Sequence, residues 1–304
     1  IDISEFMHAK RFGYERESKI FLEYHLSAEE AGEVLNNTNG YYWRNRWFKP
    51  KHKEELKVYY STRGALRTYI HQIPEDASGD SLTKGNALNA AQFFLVGTIG
   101  INIQDWELIE SKTEKLKNRW DHEFEWKEKS FKIKDSNHIL TVKVQGDQIG
   151  YYNERIKLSE AWKLKYEKIR SKNNLLETIG FTGLFTAIII IFVMILVRTR
   201  KKDIHWKTAF TWSGVIAVLL IIDVFNRYPI ELYSYYTQDS YLAFLISIIL
   251  FQCILLPLSL AISLGILIAG AEPFYRDQYP HQLSFRHILT TQGIKSRSFF
   301  NSAI

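Results

Sequence analysis

The spacing of apolar residues divides the chain into two parts. Up to about residue 172, apolar and polar residues alternate over short runs, which is typical of half-buried β-strands. From residue 175 to 271, the runs are long and apolar on every side. The alternating runs predict seven strands, at residues 41–48, 56–61, 65–73, 106–112, 122–127, 139–144 and 149–156.

A helix signal precedes each group of strands. Ser27-Ala-Glu-Glu30 is a capping box, and a second signal near Thr83 leads into an apolar stretch ending at Leu95. A helix followed by about three strands, found twice, predicts a duplicated α+β unit with its helix on one face of an antiparallel sheet. The expected organisation is a first unit at 1–80, a second unit at 81–157 and a charged connecting helix at 158–174.

Three of the long apolar runs match the length that a bilayer requires. They lie at residues 178–197, 208–225 and 241–271, and about 20 helical residues cross roughly 30 Å of hydrocarbon. The third run exceeds one straight span, so tilt or a kink at Pro257 is expected. The predicted fold class is an α+β soluble domain followed by three transmembrane helices in the region 175–271.

The distribution of basic residues predicts the orientation in the membrane. The loop after the first run is rich in lysine and arginine. In the loop after the second run, residues 226–240, Arg227 is the single basic residue. The positive-inside rule then places the soluble domain outside the cytoplasm of a bacterial inner membrane, and residues 272–304 form a basic cytoplasmic segment that leads toward a further hydrophobic stretch. Five basic residues before the first span oppose this orientation: Lys163, Lys165, Lys168, Arg170 and Lys172.

Composition excludes several function classes. The net charge of +6 is spread among glutamates without a long basic block, which argues against a nucleic-acid partner. The single cysteine, Cys253, lies in an apolar run, so the soluble part forms no disulfide. The histidines lack zinc-ligand spacing and are interpreted as surface residues, so neither metal nor cofactor is expected. They are His8, His25, His52, His71, His122, His138, His205, His281 and His287.

Asp223 is the one carboxylate inside the second apolar run. A carboxylate in a membrane segment is a functional candidate by default. Arg227 follows one helical turn later, so a structural ion pair is the favoured interpretation. A role in transport or catalysis is the alternative.

The second predicted unit resembles the PepSY-type domain, a small extracytoplasmic module. The resemblance rests on Ala90-Ala-Gln-Phe-Phe94, Trp106-Glu-Leu108, Phe124-Glu-Trp126 and the stretch Val142 to Ile149. It covers residues 81–157 and extends weakly to 27–73. It implies a binding or regulatory domain outside the cytoplasm.

The segment Ala271-Glu272-Pro-Phe-Tyr-Arg276 and the stretch that continues to Phe300 resemble long bacterial members of the CPBP family. This family comprises the CAAX-protease and bacteriocin-processing intramembrane glutamic proteases. In that family a large extracytoplasmic domain precedes a catalytic core that carries a paired-glutamate EExxxR motif and later histidines. This chain has Glu272 and Arg276 but Ala271 in place of the other glutamate. The departure favours a structural Glu–Arg pair, and no activity is expected from these residues alone.

Two functions are favoured at the level of sequence over a third, a sensor or transporter component, because three spans alone make a poor conduit. The first is the non-catalytic N-terminal part of a CPBP-like protease, whose soluble domain binds or regulates a polypeptide substrate. The second is a non-enzymatic accessory subunit that packs against other membrane subunits. Both place the chain in a lipid bilayer.

Overall fold

The computed structural model describes residues 3–200 and 204–279, together with the single positions 292, 295 and 297. It divides into two compact units. The sheet unit combines residues Ile1–Lys168 with Tyr228–Phe244, and the helical unit combines Ile169–Arg227 with Leu245–Ile304. Residues beyond Tyr279 in the predicted cytoplasmic segment 272–304 lie outside the described part of the chain, apart from those three positions.

The sheet unit is built on one eight-stranded antiparallel sheet with the order β1-β2-β3-β4-β8-β7-β6-β5. The alternating runs correspond to β2 through β8, whereas β1 lacks this signal because Ala9 is its only buried residue. The strands are β1 (Met7–Tyr14), β2 (Tyr41–Phe48), β3 (Glu55–Ser61), β4 (Leu66–Gln72), β5 (Trp106–Lys115), β6 (Trp120–Glu128), β7 (Asn137–Gln145) and β8 (Gln148–Lys157).

Helices accompany both halves of this sheet. In the first half, β1 to β4, the helices α1 (Arg16–His25) and α2 (Ala28–Asn37) stand between β1 and β2, and Ser27 closes the predicted capping box. In the second half, β5 to β8, α3 (Lys84–Phe94) precedes the strands and continues into a π-helical turn, Leu95–Ile99. The predicted antiparallel sheet ahead of apolar helices is confirmed, and its two halves share one sheet.

The seam between the halves is short. Only three residue pairs join β4 to β8: Thr68 with Asn153, Tyr69 with Tyr152, and Ile70 with Tyr151. A hydrogen bond of 2.9 Å from the Thr68 hydroxyl to Asn153 Oδ1 adds to the backbone ladder. The boundary predicted at residue 80 falls in the connection between β4 and α3.

The sheet unit has two main apolar cores. The larger one lies between α3 and the second half of the sheet, and its buried members are Ala87, Ala91, Leu95, Phe124, Trp126, Leu140, Val142, Val144 and Tyr152. The smaller one joins α1 and α2 to the end of β8 and to the first turn of α4 (Glu160–Arg200). There Trp162 packs edge-on against Phe21, so the first turn of the predicted connecting helix packs on the sheet unit, whereas Ile169 further along it is 39% exposed.

The helices α4, α5 (Trp206–Tyr233) and the continuous helix Tyr241–Gln278 are long and apolar enough to cross a membrane, which confirms the three predicted spans. The last consists of α6 (Tyr241–Ser247), a π-helical segment (Ile248–Leu255) and α7 (Leu256–Gln278). Because Pro257 has no backbone N–H to donate, the π-helical distortion directly before it is the irregularity expected there. The chain therefore has the helices of a membrane-embedded protein.

Small residues let α7 approach the other two helices of the helical unit. A Cβ atom at Gly265 would come within 2.5 Å of the Ser213 hydroxyl on α5. A Cβ atom at Gly270 would come within 2.7 Å of Ile191 on α4. Close backbone approach at small residues is a common way for membrane helices to pack.

Candidate functional site

Asp223 and Arg227 form an ion pair on α5. Arg227 Nε lies 2.8 Å from Asp223 Oδ2, and both side chains are about half exposed. The spacing of four residues puts the two groups on the same side of one helical turn. The arginine neutralises the carboxylate locally, which supports the structural interpretation of this pair.

Glu272 is buried, with 4% of its surface exposed, at the C-terminal end of α7. Arg276 NH1 lies 3.4 Å from each carboxylate oxygen. The same NH1 group lies 2.8 Å from His205 Nδ1, and that nitrogen lies 3.3 Å from Glu272 Oε1. Because arginine has only donors, Nδ1 of His205 and the carboxylate of Glu272 both accept from Arg276.

This contact adds a residue that the sequence pattern does not indicate. His205 precedes α5 by one residue and is separated from Glu272 by 67 positions, so no local motif joins them. A second pair, Arg198 NH2 to Asp277 Oδ2 at 2.8 Å, joins α4 to α7. The cluster fixes the ends of the three apolar helices to one another, which is a structural role.

A different contact connects the sheet to the end of α5, the loop that follows it and the start of α6. We call residues 228–244 the connecting segment; they belong to the sheet unit. The buried Arg46 guanidinium on β2 donates to the carbonyl oxygens of Tyr233 and Tyr235, at 2.8 and 2.6 Å. It also pairs with the buried carboxylate of Glu55 at 2.6 Å. One arginine thus satisfies a buried carboxylate and two carbonyl groups.

Further contacts extend this interface along the same face of the sheet. The hydroxyl groups of Tyr59 and Tyr233 lie 2.9 Å apart. The Tyr235 ring is buried against Phe48, with ring centroids 5.6 Å apart. Because the connecting segment includes the end of α5 and the start of α6, the sheet contacts parts of two of the three apolar helices.

The opposite face of the same strands carries exposed aromatic residues. Side chains alternate between faces along a strand, so β2 directs Arg46 and Phe48 to the connecting segment and Trp43 to the other side. Phe12 on β1 pairs with Trp43, and Trp43 pairs with Tyr60 on β3. We call these three side chains the aromatic row; they are 45%, 42% and 43% exposed.

The interpretation of all nine histidines as surface residues is wrong for His122 and His138, which are 1% and 5% exposed. His122 donates from Nε2 to the carbonyl oxygen of Leu82 and accepts at Nδ1 from the Thr113 hydroxyl, both at 2.9 Å. Its hydrogen bonds are thus satisfied within the fold.

His138 lies between two carboxylates on neighbouring strands. Nδ1 is 2.7 Å from Glu128 Oε2, and Nε2 is 3.0 Å from Glu154 Oε1. Burial acts to lower the pKa of His138, but the hydrogen bonds to Glu128 and Glu154 outweigh it, so the pKa is raised. The hydrogen bond from His138 in turn lowers the pKa of Glu128 against the opposing effect of burial.

Within residues 3–200 and 204–279, no group of three His, Cys, Asp or Glu side chains is placed to hold a metal ion. No protein-family model, curated protein or solved structure matches the chain. The candidate site is therefore argued from geometry alone. It consists of the two faces of the first half of the sheet, one that contacts the connecting segment and one that carries the aromatic row.

Proposed function

We propose that this chain is the non-catalytic, membrane-anchored N-terminal part of a CPBP-like intramembrane protease, with an extracytoplasmic domain that binds or regulates a polypeptide substrate. The proposal rests on the resemblance of the sequence and on one structural observation. That observation is the aromatic row, an exposed apolar surface next to the edge strand β1.

An edge strand offers unpaired backbone groups to an extended polypeptide. β1 is such an edge, because among the described strands only β2 pairs with it. Exposed aromatic side chains dominate the energetics of many protein interfaces. The combination of an edge strand and the aromatic row supports a polypeptide, which supplies both backbone and side chains.

The connecting segment gives this binding surface a regulatory role. The strands that present the aromatic row on one face hold the connecting segment with Arg46, Phe48 and Tyr59 on the other. A change in the twist of β2 on binding would alter both faces, because they belong to the same backbone. The domain would thus couple polypeptide binding to the ends of two apolar helices.

Binding can be tested with the chain in lipid nanodiscs and fluorescent, unstructured peptides of varied sequence. The double variant Phe12→Ala/Trp43→Ala should weaken peptide binding by about tenfold or more, equivalent to about 1.4 kcal/mol. Ile109→Ala on the other edge strand is the matched control, since Ile109 is similarly exposed at 45%. Equal peptide affinity in the wild-type chain, the double variant and Ile109→Ala would refute polypeptide binding. So would a double variant that differs from the wild-type chain only in the peptide adsorbed to the nanodisc lipid.

Orientation has its own test, which the single cysteine makes simple. Lys117 is exposed in the turn between β5 and β6. Lys117→Cys in a Cys253→Ser background should react with a membrane-impermeant maleimide in intact cells whose outer barrier has been opened. Labelling only after lysis would put the domain in the cytoplasm.

The alternative function is an accessory subunit of a larger membrane complex. Its support is that only 6% of the apolar window of α4 is buried within the chain, which leaves this helix free to contact lipid or other subunits. Extraction with native lipids and mass measurement of the intact particle separates the two. A fixed stoichiometry with a second membrane protein favours the accessory subunit.

A further inference from the structure

A cavity of about 650 Å³ lies at the seam between the two halves of the sheet. Its wall is formed by the end of α2, the β3–β4 hairpin, the turn after α3, the strands β7 and β8, the start of β5 and the end of β6. This volume is within the range of roughly 300–1,000 Å³ that small-molecule sites occupy. Leu66, Ile99 and Ile101 give part of the wall an aliphatic surface.

The polar part of the wall is negatively charged. It contains Glu128 and Glu154, which face His138 from β6 and β8. With a protonated His138 this group of three carries one net negative charge, and with a neutral His138 it carries two. The cavity therefore disfavours anions and favours cations.

Two polar atoms in this wall have no hydrogen-bond partner among the described residues: the Tyr152 hydroxyl and Asn39 Oδ1. Tyr152 is fully buried, and the Nδ2 group of Asn39 is already engaged by Glu154 at 2.8 Å. Buried polar atoms almost always have a partner, and leaving one without a partner costs free energy. Both atoms can accept a hydrogen bond from a ligand.

We propose that this cavity binds an organic ammonium ion. The ammonium group donates to Asn39 Oδ1 and to the Tyr152 oxygen, and the carboxylates of Glu128 and Glu154 compensate its charge. The indole of Trp106, which also lines the cavity, supplies a cation–π surface. The apolar body of the ligand lies along the aliphatic part of the wall.

Two sources could supply this chemistry. One is a free amine. The other is a lysine side chain of a bound polypeptide, because Tyr60 belongs both to the aromatic row and to the cavity wall. Ammonium binding itself does not depend on the proposed polypeptide function, so either can fail alone.

The first experiment titrates n-butylammonium chloride into the chain in nanodiscs by calorimetry, with empty nanodiscs as the blank. n-Butanol and sodium butyrate keep the apolar body and replace the charged head. Saturable binding of butylammonium, at least about tenfold tighter than either control, is expected from a charge-assisted hydrogen bond. Heat equal to that of empty nanodiscs would mean that the cavity does not bind butylammonium. Equal affinity for n-butanol and butylammonium would mean that the cavity does not recognise the charge. Either result overturns the proposal.

Variants then locate the site. Tyr152→Phe should weaken butylammonium binding about tenfold without loss of folding, because its hydroxyl has no partner among the residues that the structure describes. Tyr151→Phe is the matched control: Tyr151 is the preceding residue, directed to the other face of β8, and should leave affinity unchanged. Asn39→Gly is a second variant, since glycine tolerates the positive φ of 51° at this position. Wild-type affinity in both cavity variants would overturn the proposal.

A competition experiment distinguishes the sources. A short lysine-containing peptide that displaces butylammonium, while its norleucine counterpart does not, identifies the lysine side chain as a ligand. Displacement by neither peptide, with butylammonium still bound, identifies a free amine. Displacement by both peptides equally shows that the charge is irrelevant and contradicts the assignment.

Discussion

The two halves of the sheet have four strands each and the same antiparallel pairing, but they use their aromatic residues differently. In the second half, Phe124 and Trp126 lie beneath α3 and are at most 1% exposed. In the first half, Phe12 and Trp43 are more than 40% exposed. The difference shows that the covering element, rather than the composition of the strand, decides whether an aromatic residue belongs to a core or to a surface.

The buried charged groups differ in the same way. In the second half, His138 finds its carboxylate partners on the two adjacent strands. In the first half, Arg46 needs carbonyl groups that are 187 and 189 residues away in the sequence. His138 thus finds its ionic partners within its own half, whereas Arg46 depends on the connecting segment as well as on Glu55.

The largest expected effect comes from a pair of tryptophan variants that test the contrast between core and surface. Trp126→Ala should destabilise the sheet unit by about 3–5 kcal/mol, because it leaves a large cavity in a closely packed core. Trp43→Ala should cost less than about 1 kcal/mol, since its ring is already partly in contact with water. Urea unfolding of both variants in nanodiscs, followed by circular dichroism, measures the difference, and similar costs would remove the contrast between the halves.

A smaller, pH-dependent effect is expected from His138. Because the pKa of His138 is raised in the folded chain, its contribution to the free energy of unfolding is fully present below the ordinary pKa of 6.5. This contribution is lost as pH rises through the raised pKa. Glu128, with a lowered pKa, contributes above its ordinary value of 4.5 and loses this contribution as pH falls through the lowered one. Both contributions are present between these two ordinary values.

The measurement is urea unfolding from about pH 6 to about pH 9, across the range in which histidine titrates. Wild-type stability should fall over this range, and His138→Gln should reduce the slope. His52→Gln serves as the control, because His52 is an exposed histidine. A wild-type slope in the His138 variant would show that this cluster does not control the pH dependence.

The smallest effect is expected at Asp223. Replacing it with Asn keeps the shape and removes an ion pair between half-exposed groups, which is worth about 0.2–0.5 kcal/mol for a helical pair. Arg227→Gln should give a similar value. Thermal unfolding of the helical unit in detergent is the check, and a loss far above 1 kcal/mol would assign Asp223 a larger role than this pair.

Sequence alone predicts much of the fold, because alternation and apolar length are local signals. Strands β2 to β8 and the three apolar helices follow from them, whereas β1 does not, since Arg11 and Phe12 break the alternation that begins at Met7. The functional contacts are harder to predict. The partners of Arg46 and His205 are brought close only by tertiary structure, and His138 sits in an apolar strand without a local sign of its two carboxylates.

Hydrogen exchange in the connecting segment tests the central claim, that the first half of the sheet holds residues 228–244. Arg46→Met removes the guanidinium at nearly constant length and leaves Glu55 buried with Lys57 as its remaining partner, a costly change. Lys10→Met, on the face of the aromatic row, is the matched control. Mass spectrometry should show exchange in 228–244 faster by at least about tenfold in Arg46→Met, equivalent to about 1.4 kcal/mol, and unchanged in Lys10→Met. Equal exchange in Arg46→Met and the wild-type chain would contradict the claim.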